Sequence, residues 1–579
     1  MTTRTRARRG KWVAAILSLS VVAAACGGGG GGDSETTDGG PTTPPSTGVV
    51  GGEDPEDLKP TPGGELVYSL EGSNTGGWCL QEGQLAITGI QVARAVYDTL
   101  TMPDKDGNIK PYLAESITAN ADNTEFVIEL PEGVKFHDGT DLDADIVRDN
   151  LLAYAGKYEG RSPLLFLFVF GPYIKSIEST GPLQVTVTTN DPWPAFPWFL
   201  WGSSRVGIMA RAQLDDTKTC NTNLIGTGGF KLDSWDGGTG DMVVSKNDDY
   251  WQEDADGVKL PYLDQLTFVF AKPGEDDGAR VASLRAGDFD IIHTSSSLAI
   301  VEIRKDVEDE KLAAIESNRF GEVSYIMLNG AKPPFDNPIA RQAVAYASDR
   351  AEANRVLAEN VPTLAQGPFA PGNVGYLEDA GYPEYDLDKA KELVAQYEAE
   401  TGEPLEFTYT HGADAEGNRQ AQYLQQKMKD AGITMNLKPI GDQTQIINEA
   451  IGKNFQAIGW RNHPGADPDT QWVWWHCDNA PPEPCTNPVN FGGWNDPEIN
   501  DLLERGRAST DPAEKAEIYE ELNREFAKEL YNLWASYTLW TVAYDPTVHG
   551  VFGPPLPDGS EPLNGLATGH SVLGLWVEQ

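Results

Sequence analysis

Val134-Lys135-Phe136-His137-Asp138-Gly139-Thr140 lies early in a chain of 579 residues. Phe136 is an apolar anchor at the end of a strand, and Asp138-Gly139 supplies the chemistry that turns the chain. His137 in such a turn reads as a structural hydrogen-bonder rather than a catalyst. Upstream, Glu65–Leu70 reads as a strand, and Phe126, Ile128 and Leu130 alternate with polar residues. Downstream, Val185 and Val187 do the same, as do Leu266, Phe268 and Phe270. Helical periodicity gathers later, at Ala390, Leu393, Val394 and Tyr397, then at Ala421, Leu424 and Met428 with Gly432 just past the end. Asp511-Pro512-Ala513-Glu514 places an N-cap, a Pro at the first helical position and an acid in the first turn. Ile518, Leu522 and Phe526 then form a buried stripe. No internal repeat is present. The pattern is α/β with mixed sheets, in a chain too long for one core.

The N-terminus is a targeting segment. Arg4, Arg6, Arg8, Arg9 and Lys11 precede a short apolar run, Trp12–Val22, and Ala23-Ala24-Ala25 leads into Cys26. That order is a secretory signal over residues 1–25. Its end resembles the lipobox of bacterial lipoproteins, with Ala23 where Leu or Val is commoner, which makes Cys26 the expected lipidation site. Residues 26–63 are then the lipidated Cys and a disordered tether of Gly, Pro, Thr and acidic residues, roughly 33 Å between its ends as a random coil.

The net charge of -43 repels phosphate backbones and argues against nucleic-acid partners. Beyond the signal no apolar run is long enough for a spanning helix. Four cysteines remain: Cys79, Cys220, Cys477 and Cys485. An even number outside the cytoplasm reads as two disulfides with three possible pairings. Cys477–Cys485, closing a short Pro-rich loop, is favoured, and with it Cys79–Cys220. No G-x-S-x-G, H-E-x-x-H or G-x-x-x-x-G-K-[ST] occurs, the histidines are scattered, and no metal or cofactor is expected. Asp104, Asp106, Asn108 and Glu115 sit at positions 1, 3, 5 and 12 of a calcium loop. Ile109 stands where that loop needs Gly, so a hairpin turn is expected instead.

A series of blocks resembles the family 5 extracellular solute-binding proteins of ABC importers, from about Gly64 to the C-terminus. The blocks are Tyr97-Asp98-Thr99-Leu100, Pro111–Ser116, Val134–Thr140 with Ala144-Asp145, and Gly226-Thr227-Gly228-Gly229-Phe230. Asn247 with Asp249-Tyr250-Trp251 follows. Asn329, Pro334-Phe335, Arg341-Gln342-Ala343 and Asp349-Arg350 close the series. The resemblance implies a two-lobed periplasmic-binding-protein-like fold with an extra small domain inserted in lobe I. The expected boundaries are 64–93 for the first part of lobe I, 94–224 for the inserted domain and 225–326 for the second part of lobe I. Lobe II is expected at 327–537 and the C-terminal part of lobe I at 538–579. Hinge strands are expected near Leu328-Asn329 and Tyr537. Asp349-Arg350 could form a local ion pair.

The resemblance also implies function: a monomeric extracytoplasmic lipoprotein that encloses a small molecule, an oligopeptide first of all, and delivers it to membrane permease subunits without chemistry. A neutral ligand such as an oligosaccharide is the alternative, and a secreted hydrolase a more distant one. Five tryptophans, Trp460, Trp472, Trp474, Trp475 and Trp494, cluster with polar residues late in the chain. Aromatics mixed with a few polar groups suit a ligand cleft. Trp460, Arg461, Asn462, His463 and Asp467 are placed in the cleft, and Trp472, Trp475 and Trp494 in lobe core. In peptide binders of the family a carboxylate shortly after this tryptophan grips the ligand amine. Here it is absent, shifted to Asp467 or replaced by His463. Strand ends add Glu71, Ser73, Asn74, Trp78, His293, Thr294, Ser295, Asn329 and Tyr537 to the expected substrate-binding set.

Overall fold

The computed structural model describes residues 47–50 and 58–578, except 73–75, 84, 236, 238–239, 273–274, 276, 442, 463–464, 466, 480 and 564–565. Cys26, the signal segment and most of the tether therefore lie outside the described residues.

Two large mixed sheets organise the chain. In the first, Glu65–Leu70 is central and pairs in parallel with both Gln265–Phe270 and Ile291–Thr294. Met242–Lys246 and Phe230–Trp235 extend one side, and Trp540–Tyr544 and Ala313–Ser317 the other. In the second, Val323–Leu328 lies antiparallel between Asn532–Tyr537 and Ala457–Asn462, and Glu406–Gly412 and Thr434–Ile440 continue in parallel. These are lobes I and II. A four-stranded antiparallel sheet, Ser116–Ala119, Glu125–Glu129, Gln184–Thr189 and Ile174–Gly181, forms the inserted domain.

The chain passes between lobes I and II through two short segments. One joins Ser317 to Val323, and the other joins Tyr537 to Trp540. The Thr538 N–H donates to the Glu322 carbonyl at 2.9 Å, so the two crossings form one ribbon. The first crossing is therefore at 318–322, ahead of the expected Leu328-Asn329. Leu328 instead ends the lobe II strand opposite Ala457, because the apolar alternation of Val323, Tyr325 and Met327 already commits that segment to the lobe II core. The tether also departs from expectation. Thr47–Val50 pairs antiparallel with Ala314–Ser317 as an edge strand, its backbone continuing a sheet edge that would otherwise be unpaired.

The sequence blocks converge on one buried structural knot between lobe I and the inserted domain. The Asp98 carboxylate accepts from Thr227 Oγ1 at 2.9 Å, Trp251 Nε1 at 3.0 Å and Tyr250 Oη at 3.2 Å. His137 pairs with the Gly228 carbonyl through Nε2 at 2.9 Å, and its Nδ1 accepts from the Gly226 N–H at 3.3 Å. A Cβ on Gly226 would lie 2.1 Å from the Val96 carbonyl oxygen, so only glycine allows this approach. His137 is thus structural. Asp104 accepts from the backbone N–H groups of Asp106 and Asn108 in the turn between Thr101–Pro103 and Ile109–Pro111, a hairpin as expected. Both expected disulfides are present, Cys79–Cys220 and Cys477–Cys485. Asp349 and Arg350 do not pair with each other. Asp349 caps the following helix and binds Lys427 at 2.8 Å, while Arg350 reaches the Ala365 and Trp534 carbonyls.

Candidate ligand-binding site

Glu71 follows the central lobe I strand, and Ser295 follows the neighbouring strand Ile291–Thr294. Parallel pairing brings these two C-terminal strand ends together. The Ser295 N–H and hydroxyl both donate to the Glu71 carboxylate, the hydroxyl at 2.9 Å. His293, buried one position inside its strand, accepts the Glu71 N–H at Nδ1, 3.4 Å away. Burial first, then Arg280 and His570, hold its imidazole pKa well below the usual value, so it is neutral. Thr294 turns the other way and donates to Asp277, which heads the helix Asp277–Ala286 and also holds Arg280 at 2.7 Å.

Lobe II reaches this group through Arg461. Its guanidinium lies 3.4 Å from Ser295 Oγ in lobe I and 3.4 Å from the Glu322 carboxylate in the crossing ribbon. The side chain is 43% exposed whereas that of Glu322 is 2% exposed, so the guanidinium is accessible from the cleft and its anchor is not. Glu322 is also held by the Trp540 indole N–H at 3.1 Å. Burial works to lower the Arg461 pKa, and the carboxylates of Glu322, Glu71 and Glu416 more than offset it. Glu416, in the first turn of Ala415–Asp430, completes the ring from lobe II. Burial raises its carboxyl, Arg461 opposes this, and Asp414 and Asp277 add to the rise. Glu71 is raised as well, by burial and then by Asp277, against Arg461. Glu71, Glu322 and Glu416 thus outnumber the one guanidinium, that of Arg461, whose charge all three feel, across elements of both lobes. That arrangement offers negative charge to a cationic group and one guanidinium to an anionic one.

The expected residues divide accordingly. Glu71, His293, Ser295 and Arg461 are brought together, and Thr294 supports them through Asp277. Ser73, Asn74 and His463 lie outside the described residues. Trp78 is fully buried, edge-on to Trp235 beside the Cys79–Cys220 disulfide. Asn329 sits at the strand end away from the crossing and donates to the Phe455 and Lys453 carbonyls, so it is a lobe II brace rather than a cleft residue. Trp460 neighbours Arg461 on an extended strand, so its side chain leaves by the opposite face, and its ring packs edge-on against Phe491. Asn462 donates to Gln471, and Tyr537 is buried, its hydroxyl accepting from the Gln366 N–H. Asp467 caps a short turn and is paired with Lys515 at 2.6 Å, both 13–14% exposed, so its carboxylate is already satisfied. Glu322, Glu416 and Asp277 were not anticipated. Glu322 carried one signal, an acid in the polar stretch just before a strand.

A family model described as bacterial extracellular solute-binding proteins, family 5, middle region, matches residues 108–483. The glutathione-binding protein GsiB of Escherichia coli strain K12 is 29% identical over 444 residues, covering 74% of this chain and 80% of the relative. The structure of AgaA from A. tumefaciens R10, in complex with agropinic acid, is similar with a TM-score of 0.75 at 25% identity, over 89% of this chain and 99% of that one. DppA from Helicobacter pylori, in complex with the peptide STSA, is similar in fold with a TM-score of 0.76 at 20% identity, over 90% and 99% of the two chains.

Proposed function

Since this chain belongs to family 5 of the bacterial extracellular solute-binding proteins, an extracytoplasmic transport component and not an enzyme, we propose that it captures an oligopeptide-like ligand between its lobes for an ABC importer. The observation that carries this reading is Arg461, which spans from lobe II to Ser295 of lobe I among the carboxylates of Glu71, Glu322 and Glu416. A zwitterionic ligand meets both needs of that cluster. Its amine adds a cation beside Glu71 and Glu416, whose carboxyls are raised, and its carboxylate competes for Arg461. A buried ammonium without such a counter-charge would be costly. Named ligands of similar proteins include glutathione and the peptide STSA, which supports the peptide class. Trp78, one of the aromatics an oligosaccharide could stack on, is fully buried against Trp235.

Binding contacts made to both lobes favour the form in which the lobes meet. That form then docks on permease subunits in the same membrane, where lipidation of Cys26 holds the protein. The test is mass spectrometry of small molecules released by denaturing the purified protein. Short peptides support the reading. A sugar or another ligand without an amine overturns it.

A further inference from the structure

We infer that the inserted domain and lobe II carry a cation–aromatic latch that holds the two bodies together without a ligand. It is a second crossing of the lobe boundary, separate from the hinge ribbon and from the Arg461 cluster. From the inserted domain come Tyr173 and Trp193, and from lobe II come Asp469, Trp472 and Arg507. The Trp193 indole N–H donates to Asp469 Oδ2 at 2.9 Å. In the reverse direction the Trp472 indole N–H donates to the Tyr173 hydroxyl at 2.7 Å. Two hydrogen bonds of opposite polarity therefore span the boundary.

Arg507 fills the centre. Its Nε donates to Asp469 Oδ1 at 2.8 Å. Its guanidinium carbon lies 3.9 Å from the Trp472 ring centroid, 4.7 Å from that of Tyr173 and 5.2 Å from that of Trp193. Asp469 is fully buried and the Arg507 side chain 12% exposed, so these contacts are shielded from salt and water.

The division of charge makes the contact reversible. Both ions belong to lobe II, and they remain paired when the halves part. The inserted domain contributes only neutral aromatics with polar tips, which tolerate water. Separation thus strands no buried charge on either side, unlike the rupture of an ion pair that spans a boundary. The inserted domain is itself fastened to lobe I by the Cys79–Cys220 disulfide and the Asp98 knot. Among the described residues, the chain passes from lobe I to lobe II only at 318–322 and 538–539. The latch therefore biases the one hinged motion that the fold allows, and it does so without touching the ligand.

The test uses ligand-free protein, so it stands whatever the ligand proves to be. Small-angle X-ray scattering is recorded for the wild type, Arg507→Ala and Trp193→Phe, with circular dichroism confirming the fold of each. Trp193→Phe keeps an aromatic ring, smaller than the indole, in the inserted-domain core and deletes the N–H that reaches Asp469. Each variant is expected to have a larger radius of gyration than the wild type. The closed-to-open ratio should fall about tenfold, the typical worth of one hydrogen bond to a charged group. Wild-type scattering in both variants overturns the latch. So does expansion in Arg507→Ala alone, because it would place the effect within lobe II. A wild type as expanded as its variants overturns it too.

Discussion

Removing Arg461 tests the site at its one cation that reaches across the cleft. Arg461→Ala deletes the contact to Ser295 and leaves Glu322, 2% exposed, with the Trp540 indole but without its guanidinium. At 3.4 Å and an effective dielectric near 20, the Glu322 attraction is about 5 kcal/mol before screening. The guanidinium is 43% exposed, so most of that is lost to solvent, and about 1–2 kcal/mol remains. Because the contact to Ser295 exists only while the lobes meet, its share of the loss falls on the bound form. That contact is a long hydrogen bond from a charged donor, worth about 1 kcal/mol, so peptide affinity should drop about 5-fold by isothermal titration calorimetry. The variant should also lose affinity for a peptide amide by a smaller factor, since that ligand brings no carboxylate to Arg461. An affinity within twofold of wild type for both ligands would refute the placement of the ligand at this cluster.

Other perturbations read different parts of the molecule. Glu416→Gln should raise the melting temperature slightly at pH 7 and weaken binding of an amine-bearing peptide. The raised carboxyl contributes most below its unfolded pKa, and that contribution is lost as pH rises through the folded value; a scan from pH 4 to 8 checks the sign. His570 is buried on the Tyr68 hydroxyl at 2.8 Å, and burial pulls its pKa down to about 4. The unfolded chain binds the proton first, so stability should fall by about 3 kcal/mol as pH drops from 6.5 to 4. His570→Asn should flatten that slope in denaturant titrations. Opening Cys79–Cys220, with its sequence separation of 141, should cost more stability than opening Cys477–Cys485, with a separation of 8, since loop entropy grows with length; paired Cys→Ser variants compared in urea decide it. Cys26→Ala should move the protein from the membrane fraction to the soluble one, and sedimentation with membranes would end the anchor proposal.

The fold was legible because its strongest sequence blocks are structural. Asp98, His137, Thr227, Gly226, Gly228 and Trp251 are separated in sequence yet meet in one buried network, and each is constrained by hydrogen-bond valence or by space for a Cβ. Helix ends were equally readable, since Asp511 caps Pro512–Glu529 through local contacts. The site was legible only at strand ends. Glu71 and Ser295, both expected in the ligand-binding set, are brought together because parallel strands deliver their C-terminal ends to one edge. Trp460 and Asp467, expected in the cleft, meet Phe491 and Lys515, because aromatic or acidic character does not reveal which face of a strand, or which lysine, a side chain will meet. Glu416 and Asp277 gave no signal at all, because they become neighbours only when two lobes meet across the cleft.

That contrast bears on how binding becomes closure. The inserted domain, the disulfide and the Asp98 knot make lobe I one body, while lobe II has its own aromatic core, in which Phe526 packs on Trp475 and Trp534. Among the described residues, the Arg461 cluster and the Arg507 cluster carry charge against the opposing body, and they differ in kind. The Arg507 cluster is complete without a ligand: its ion pair is satisfied, and its aromatics are packed. The Arg461 cluster has more carboxylates than cations and is therefore incomplete. Closure without ligand stabilises the first contact but crowds like charges at the second. A ligand amine removes that repulsion. The balance between a satisfied contact and a frustrated one would set how far the empty protein closes, and on the proposed peptide reading it is the ligand amine that completes closure.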